Sequence, residues 1–206
     1  MTSAHDGFTF ATVPAVRFGA GCLDQIGTLA AEIIGKTCLI VTDRGLVSTG
    51  IVDQALAALQ SGGIQCEVFD QVEADPSEAT VLAAVTQAKA LGCNSIVGLG
   101  GGSSLDVAKL VAYLAGTGEQ ISDIYGVGLA SGKRLPLVLV PTTSGTGSEV
   151  TPIAIVTTPA QEKMGVVSPA LLPDVAFLDP LLTVGLPADI TAATGIDAME
   201  HAIEAY

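Results

Sequence analysis

Short apolar stretches alternate with amphipathic stretches along most of the chain. Runs of Val, Ile and Leu that are bounded by Gly, Pro or Asp are typical of buried parallel strands. We therefore predict core strands at residues 37–43, 64–70, 94–100, 134–141 and 174–179.

The stretches between these runs have apolar residues at helical spacing and polar residues on the other positions. They predict helices at 23–34, within 51–60, after Asp75 and after Gly102, preceded by an extended segment at 8–18. In the third helix, Asp75 is the expected N-cap and Pro76 the first helical residue. Alternating strands and helices indicate an α/β fold, a parallel sheet with flanking helices.

The pattern changes after about Pro180, where the remaining chain is wholly helical. We therefore predict two domains: an α/β domain at residues 1–180, and the start of an all-helical domain at 181–206 that is truncated at the end of this chain. The closing sequence GIDAMEHAIEAY contains no helix stop signal, which favours this division.

Charge restricts the partners of the protein. The 206 residues have a formal net charge of −13, which argues against nucleic acid or an anionic membrane as partner. The charge does not exclude an anionic cofactor, because backbone N–H groups at helix N-termini bind phosphate.

The four cysteines, Cys22, Cys38, Cys66 and Cys93, are widely spaced and include no C-x-x-C pair. Buried, reduced thiols are therefore expected rather than a zinc site or disulfides. The N-terminus lacks the basic start and apolar run of a signal peptide, and no apolar run approaches the ~20 residues of a membrane span. A soluble, cytoplasmic protein is expected.

A glycine-rich loop, GLGGGSSLD, follows the third core strand and leads into a helix. Glycines without a Cβ let a phosphate approach the backbone, and the helix start presents free N–H groups. The alternative is a glycine-rich tight turn. Asp43 ends the first core strand, where its carboxylate could bind both adenosine ribose hydroxyls and disfavour a 2′-phosphate. A simple N-cap or turn role for Asp43 remains the other interpretation.

A second loop, PTTSGTGSEVT at residues 141–151, follows the fourth core strand. Its dense hydroxyl donors suit phosphate and ribose binding, although Ser, Thr and Gly are also ordinary residues of solvent loops. Lys163 could add a positive charge or a ribose hydrogen bond, and a solvated lysine is the alternative.

Asp197 and His201 lie four residues apart in the final helix, so they share one face. A carboxylate and an imidazole in this arrangement could bind a metal ion. By pattern alone a solvated polar pair is the alternative, because an apolar stripe lies on roughly the opposite side of the helix.

The motifs GGGSSLDVAK, PTTSGTGSEVT, LLPDVAFLDPLLT and TGIDAMEHAIEAY occur in this order. With them, residues 8–206 resemble the iron-containing (group III) alcohol dehydrogenase family. The resemblance implies a Rossmann-like dinucleotide-binding domain followed by an all-helical domain.

The resemblance also implies roles for individual residues. Asp43 is the implied adenosine-ribose contact, and Asp197 with His201 are implied metal ligands. The implied pyrophosphate loop comprises Gly101, Gly102, Ser103 and Asp106. The implied second cofactor loop comprises Thr142, Thr143 and Thr146, and the implied nicotinamide or ribose contacts are Ser148, Lys163 and Leu182. Two further histidine ligands of the family have no counterpart in this chain, whose other histidine is His5.

The implied reaction is hydride transfer between a primary or secondary alcohol and NAD, with a divalent metal polarising the alcohol oxygen. The resemblance favours Fe2+, with Zn2+ as the alternative. Two other functions stay open: a metal-independent enzyme like maleylacetate reductase, and a non-catalytic nucleotide-binding module. A small alcohol or aldehyde substrate and a homo-oligomer are expected.

Overall fold

The computed structural model describes residues 11–205. Its strands, numbered in chain order, are β1 (Val16–Phe18), β2 (Thr37–Val41), β3 (Gln65–Phe69), β4 (Ser95–Gly100), β5 (Gly126–Val127), β6 (Leu137–Pro141), β7 (Ile153–Thr157), β8 (Lys163–Val167) and β9 (Val175–Leu178). Six of them form one sheet in the order β1-β9-β6-β4-β2-β3, and every neighbouring pair is parallel. The predicted α/β fold, a Rossmann-like parallel sheet with flanking helices, is confirmed.

Helices cover both faces of this sheet. They are α1 (Ile26–Leu29), α2 (Ala31–Ile34), α3 (Arg44–Val47), α4 (Ile51–Ser61), α5 (Glu78–Ala90), α6 (Gly102–Thr117) and α7 (Ala188–Glu204). Short 3₁₀ turns lie at Cys22–Gln25, Ile121–Asp123, Ser148–Val150, Pro169–Leu171 and Pro180–Thr183. One apolar cluster joins α1, α2 and α4 to one sheet face, and another joins α5 and α6 to the opposite face. The central strands β4 and β6 are wholly buried, which explains their unbroken apolar runs.

A second, three-stranded sheet was not predicted. β7 pairs antiparallel with β8, and β8 pairs parallel with β5. In β7 the residues Ala154 and Val156 are buried, while Ile153 and Ile155 are exposed. Because the exposed positions are also apolar, the alternation that indicates a half-buried strand is hidden in the sequence.

Two predicted helix features were wrong. The predicted helix at 23–34 is divided into three short helical segments, with a break at Ala30, where φ is −116° and ψ is 6°. Ser77, not Asp75, caps α5, since the Ser77 hydroxyl accepts from the Thr80 N–H. Asp75 instead has a φ of 53°, and the backbone after it pairs with the end of β7, since the Thr157 N–H donates to the Pro76 carbonyl.

The predicted extended segment at 8–18 is partly outside the described residues, which begin at residue 11. Its last part forms β1, which pairs with β9 at one edge of the sheet. None of the helices formed by residues 11–205 is both long and apolar enough to cross a membrane.

Candidate functional site

The order of strands creates a crevice between β2 and β4. The chain passes from β2 outward to β3, and from β4 to β6 on the other side, so the connections diverge at this point. Ligands of open parallel sheets bind at such a point, beyond the carboxyl ends of the strands. Asp43 follows β2 and Gly100 ends β4, so both predicted cofactor segments meet there.

Asp43 uses one carboxylate oxygen to cap α3. Its Oδ1 accepts from the Leu46 N–H at 2.9 Å. Its Oδ2 faces the glycine loop, since a Cβ added at Gly100 would lie 3.5 Å from it. The capping interpretation and the ligand interpretation of Asp43 are therefore compatible, because each uses a different oxygen.

The first turn of α6 presents uncapped N–H groups to the same crevice. Gly101 is the N-cap residue and makes no side-chain hydrogen bond, whereas side chains cap α3 and α5. The first N–H groups of a helix have no intrahelical acceptor and lie at the positive end of the helix dipole. A 16-residue helix that begins in this way is suited to bind a phosphate group.

The second predicted loop lies beside the first. β6 pairs with β4, and the Thr142 N–H donates to the Gly100 carbonyl at 2.9 Å. The Thr143 side chain lies beside Gly101 and the Thr146 side chain beside Gly102, since a Cβ added to either glycine would lie within 4 Å of the threonine. Ser103 is half-buried in the first turn of α6. The structure therefore brings together the glycine loop and the three predicted threonines.

Asp106 and Ser148 fasten the second loop to α6. The Ser148 hydroxyl donates to Asp106 Oδ1 at 2.6 Å, and the Ile155 N–H donates to Asp106 Oδ2 at 3.0 Å. Both oxygens of Asp106 therefore accept hydrogen bonds from the protein itself. This geometry favours a positioning role for the two residues, between α6 and the turn at Ser148–Val150.

Lys109 completes this network and was not among the predicted site residues. Its side chain is fully buried, and its ammonium donates to Ser148 Oγ at 2.8 Å and to the Ile153 carbonyl at 2.7 Å. Burial lowers the pKa of Lys109, and the Asp106 carboxylate, 3.4 Å away, opposes that shift. The spacing of three residues between Asp106 and Lys109 was the signal available in the sequence.

Lys163 and Leu182 lie away from the glycine loop. Lys163 is exposed on β8, and its ammonium pairs with Asp75 at 2.6 Å, after the carboxyl end of β3. Leu182 is buried in the turn Pro180–Thr183 and packs in the apolar core. Neither side chain is among the nearest neighbours of Gly101 and Gly102, which are Thr143 and Thr146.

Asp197 and His201 lie on α7, close to the second loop. Asp197 Oδ1 and His201 Nε2 are 3.9 Å apart, and both side chains are partly exposed. A Cβ at Gly145 would lie 3.1 Å from Asp197 Oδ2 and 2.7 Å from the Thr194 carbonyl oxygen. The same loop, the end of β9 and Ala198 of α7 line an open cavity of about 310 Å³. Within residues 11–205, no three Asp, Glu, His or Cys side chains gather closely enough to hold a metal.

Replacing Gly145 by alanine is expected to loosen the contact between the second loop and α7. The added Cβ meets a backbone oxygen of α7 at 2.7 Å, so loop or helix must shift. Such overpacking costs about 1–3 kcal/mol. Amide hydrogen exchange across Ala188–Glu204 should rise about tenfold or more.

Gly195→Ala is the matched control for this substitution. Gly195 lies inside α7, and a Cβ there meets no atom within 4 Å. Alanine is better than glycine in a helix interior by about 1 kcal/mol, so exchange should slow. Equal exchange in Gly145→Ala and the unaltered chain would show that the loop does not hold α7.

Comparison with known proteins identifies related sequences over most of the chain. The sequence model of the family described as iron-containing alcohol dehydrogenase matches residues 14–180. NAD-dependent methanol dehydrogenase from Bacillus methanolicus is 40% identical over 194 residues, which cover 94% of this chain and 51% of that protein. 4-Hydroxybutyrate dehydrogenase from Cupriavidus necator is 46% identical over 173 residues, which cover 82% of this chain and 44% of that protein.

Solved structures with the same fold extend the comparison. A 1,3-propanediol oxidoreductase superposes with a TM-score of 0.92 and 35% identity, covering 96% of this chain and 52% of that one. A sulfoacetaldehyde reductase from Bifidobacterium kashiwanohense, solved in complex with NAD+, superposes with a TM-score of 0.88 and 34% identity. The match covers 97% of this chain and 53% of that one. The chain therefore spans about half the length of the relatives it matches.

Proposed function

Because the chain belongs to the iron-containing alcohol dehydrogenase family, we propose that it is the dinucleotide-binding part of an NAD-dependent oxidoreductase. The proposed reaction transfers a hydride between a primary or secondary alcohol and NAD. The names of the relatives, which include alcohol dehydrogenases and an aldehyde reductase, support this reaction class.

One observation carries the proposal: the uncapped start of α6 lies at the crevice where Asp43 Oδ2 faces Gly100. The proposed pyrophosphate site is the backbone of Gly101, Gly102 and Ser103, whose N–H groups lie at the positive end of the helix dipole. The proposed adenosine-ribose contact is Asp43 Oδ2, next to that loop. Ribose and phosphate groups of one dinucleotide can then bind to both at once.

The second loop and the network behind it position the other half of the cofactor. Thr142, Thr143 and Thr146 supply hydroxyl groups at the same edge of the sheet. Asp106 and Ser148 hold this loop on α6 rather than contact the cofactor through their bonded atoms. We retain Lys163 and Leu182 as proposed contacts of the nicotinamide or its ribose.

Asp197 and His201 fit part of a metal site. One carboxylate and one imidazole on the same helical face suit a first-row divalent ion, Fe2+ or Zn2+. When bound, the metal supplies a Lewis acid that polarises the alcohol oxygen. The proposed position of the alcohol is the cavity of about 310 Å³ that the second loop, the end of β9 and Ala198 of α7 line.

Asp43→Ser tests the cofactor assignment. Serine can still cap α3, but it lacks the charge and the second oxygen that would bind ribose. Loss of hydrogen bonds to a charged group weakens binding by about 1.5–3 kcal/mol, so the dissociation constant for NADH should rise about 10- to 100-fold. Fluorescence titration of the chain with NADH and NADPH measures this change.

Asp53→Ser, in the exposed first turn of α4, is the control and should leave NADH binding unchanged. The unaltered chain should bind NADH more tightly than NADPH, because Asp43 repels a 2′-phosphate. Asp43→Ser should reduce the ratio of the two dissociation constants. A chain that binds no NADH, or binds it equally well after Asp43→Ser, contradicts the proposal.

We further propose a small alcohol or aldehyde as substrate and a homo-oligomeric assembly. The assembly is supported by β1, which is an edge strand within residues 11–205 and in which Val16 is 48% and Phe18 77% exposed, since an edge strand can pair with a second chain. The predicted cytoplasmic location and the division into residues 1–180 and 181–206 stay predictions.

A further inference from the structure

Two thiols face each other near the amino ends of β2 and β3, the opposite end of the sheet from the cofactor crevice. Cys38 and Cys66 are register partners on these adjacent parallel strands, so their side chains share one sheet face. Their Sγ atoms are 3.2 Å apart. Adjacent strands lie about 4.8 Å apart, and a disulfide spans Cα separations of about 4.4–6.8 Å. The spacing of adjacent strands therefore falls within the Cα range of a disulfide.

The two thiols differ in access to solvent. Cys38 is fully buried. Cys66 is half-buried, contrary to the expectation of buried thiols, and lines an open cleft of about 590 Å³ with Gln60, Gly63 and Leu91. A small reagent therefore has access to Cys66 rather than to Cys38, its register partner on β2.

The hydrogen bond between the thiols favours the thiolate form of Cys66. The Cys38 S–H donates to Cys66 Sγ, which lowers the pKa of the Cys66 thiol against the opposing effect of its burial. The same bond, together with burial, raises the pKa of Cys38. The thiolate is the reactive form of cysteine, so the accessible member of the pair is also the activated one.

We propose that Cys66 and Cys38 form a peroxide-reactive dithiol site, in which Cys66 attacks and Cys38 resolves. The Cys66 thiolate attacks one oxygen of hydrogen peroxide and breaks the O–O bond, giving a sulfenic acid, while the leaving hydroxide takes a proton and becomes water. The Cys38 sulfur then attacks the Cys66 sulfur, forming the S–S bond, and the hydroxyl group leaves as a second water with the Cys38 proton. Two thiols are oxidised by two electrons, and one peroxide is reduced to two waters.

The other cysteines lack this arrangement. Cys93 is buried at the end of α5 and makes no hydrogen bond to a thiol among the described residues, and the Cys22 thiol faces the Arg17 carbonyl at 3.9 Å. The thiols are separate from the proposed cofactor site, because they lie near the amino ends of β2 and β3 and the glycine loop follows the carboxyl end of β4.

The test uses the full chain, fully reduced and then treated with equimolar hydrogen peroxide. Intact mass should fall by two hydrogen atoms, and a non-reducing peptide map should contain one cross-link, between Cys38 and Cys66. A cross-link to Cys93 or Cys22, or oxidation of Cys66 to sulfinic acid without a cross-link, overturns the proposal.

Single substitutions separate attack from resolution. Cys66→Ser should abolish the peroxide reaction, whereas Cys38→Ala should leave a Cys66 sulfenic acid that dimedone traps. Cys93→Ala should retain the cross-link at the unaltered rate and is the matched control. Peroxide consumption that persists at the same rate in Cys66→Ser contradicts the assignment of Cys66 as the attacking thiol, whether or not Cys38→Ala folds.

Discussion

Lys109→Met is expected to lower the free energy of unfolding by about 3–5 kcal/mol, the cost of removing one partner from a buried ion pair. Methionine retains much of the length of the side chain, so the loss comes from the ammonium. Without it, Asp106 loses a charge partner, and the Ile153 carbonyl and Ser148 hydroxyl lose a donor. Urea denaturation followed by circular dichroism measures the change.

Lys89→Met is the control, because Lys89 is exposed near the end of α5 and should change stability by less than about 0.5 kcal/mol. Adding Asp106→Asn to Lys109→Met removes the uncompensated carboxylate. The double variant should therefore lose less than the sum of the two single variants, by about 1 kcal/mol or more. Full additivity would show that the two side chains do not interact.

Lys109→Met should also weaken NADH binding. Lys109 joins α6 to the second loop and to β7, so its loss frees the loop that carries the three threonines. If Lys109→Met lowers stability but leaves NADH affinity unchanged, the Lys109 network does not support the proposed cofactor site.

Gly100→Ala is the second large effect, and it should damage both stability and cofactor binding. Gly100 has a φ of 147°, a conformation that side chains rarely adopt, and such strain costs about 1–3 kcal/mol. The added Cβ would also lie 2.8 Å from Ser104 Oγ, in the first turn of α6. Displacing that turn moves the proposed phosphate donors, so NADH affinity should fall about tenfold or more.

Gly101→Ala tests the effect on cofactor binding separately from the effect on stability. Its φ of −76° is ordinary and the added Cβ would lie 3.5 Å from Thr143, which is normal contact. The fold should therefore keep its stability, while a side chain at the proposed pyrophosphate site still hinders binding. Gly19→Ala, with no atom within 4 Å of its Cβ, should change neither quantity. If Gly101→Ala binds NADH normally, the pyrophosphate is bound elsewhere.

Local patterns predicted most of the sheet. β2, β4 and β6 were predicted because buried parallel strands need apolar side chains on both faces, and that requirement is visible in sequence. The start of α6 was also predicted, since a glycine loop after a strand is a local signal. The family resemblance, which rests on four short motifs, was confirmed by the match over residues 14–180.

Features that depend on distant neighbours were missed. The cap of α5 is Ser77 and not the predicted Asp75, and the backbone before the helix is hydrogen-bonded to β7. The strands β7 and β8 were hidden because exposed positions of β7 are also apolar. The buried state of Lys109 could not be predicted, since a lysine on an amphipathic helix is usually solvated.

The sequence by itself therefore determined the fold class, the family and the two loops that follow β4 and β6, because these depend on periodicity and short motifs. Tertiary structure alone decided how those parts meet. Asp106 reaches Ser148 across 42 residues and Lys109 reaches Ile153 across 44, and Asp197 lies against Gly145. Such contacts follow from strand order and helix packing, which bring distant residues together, and no local pattern records them.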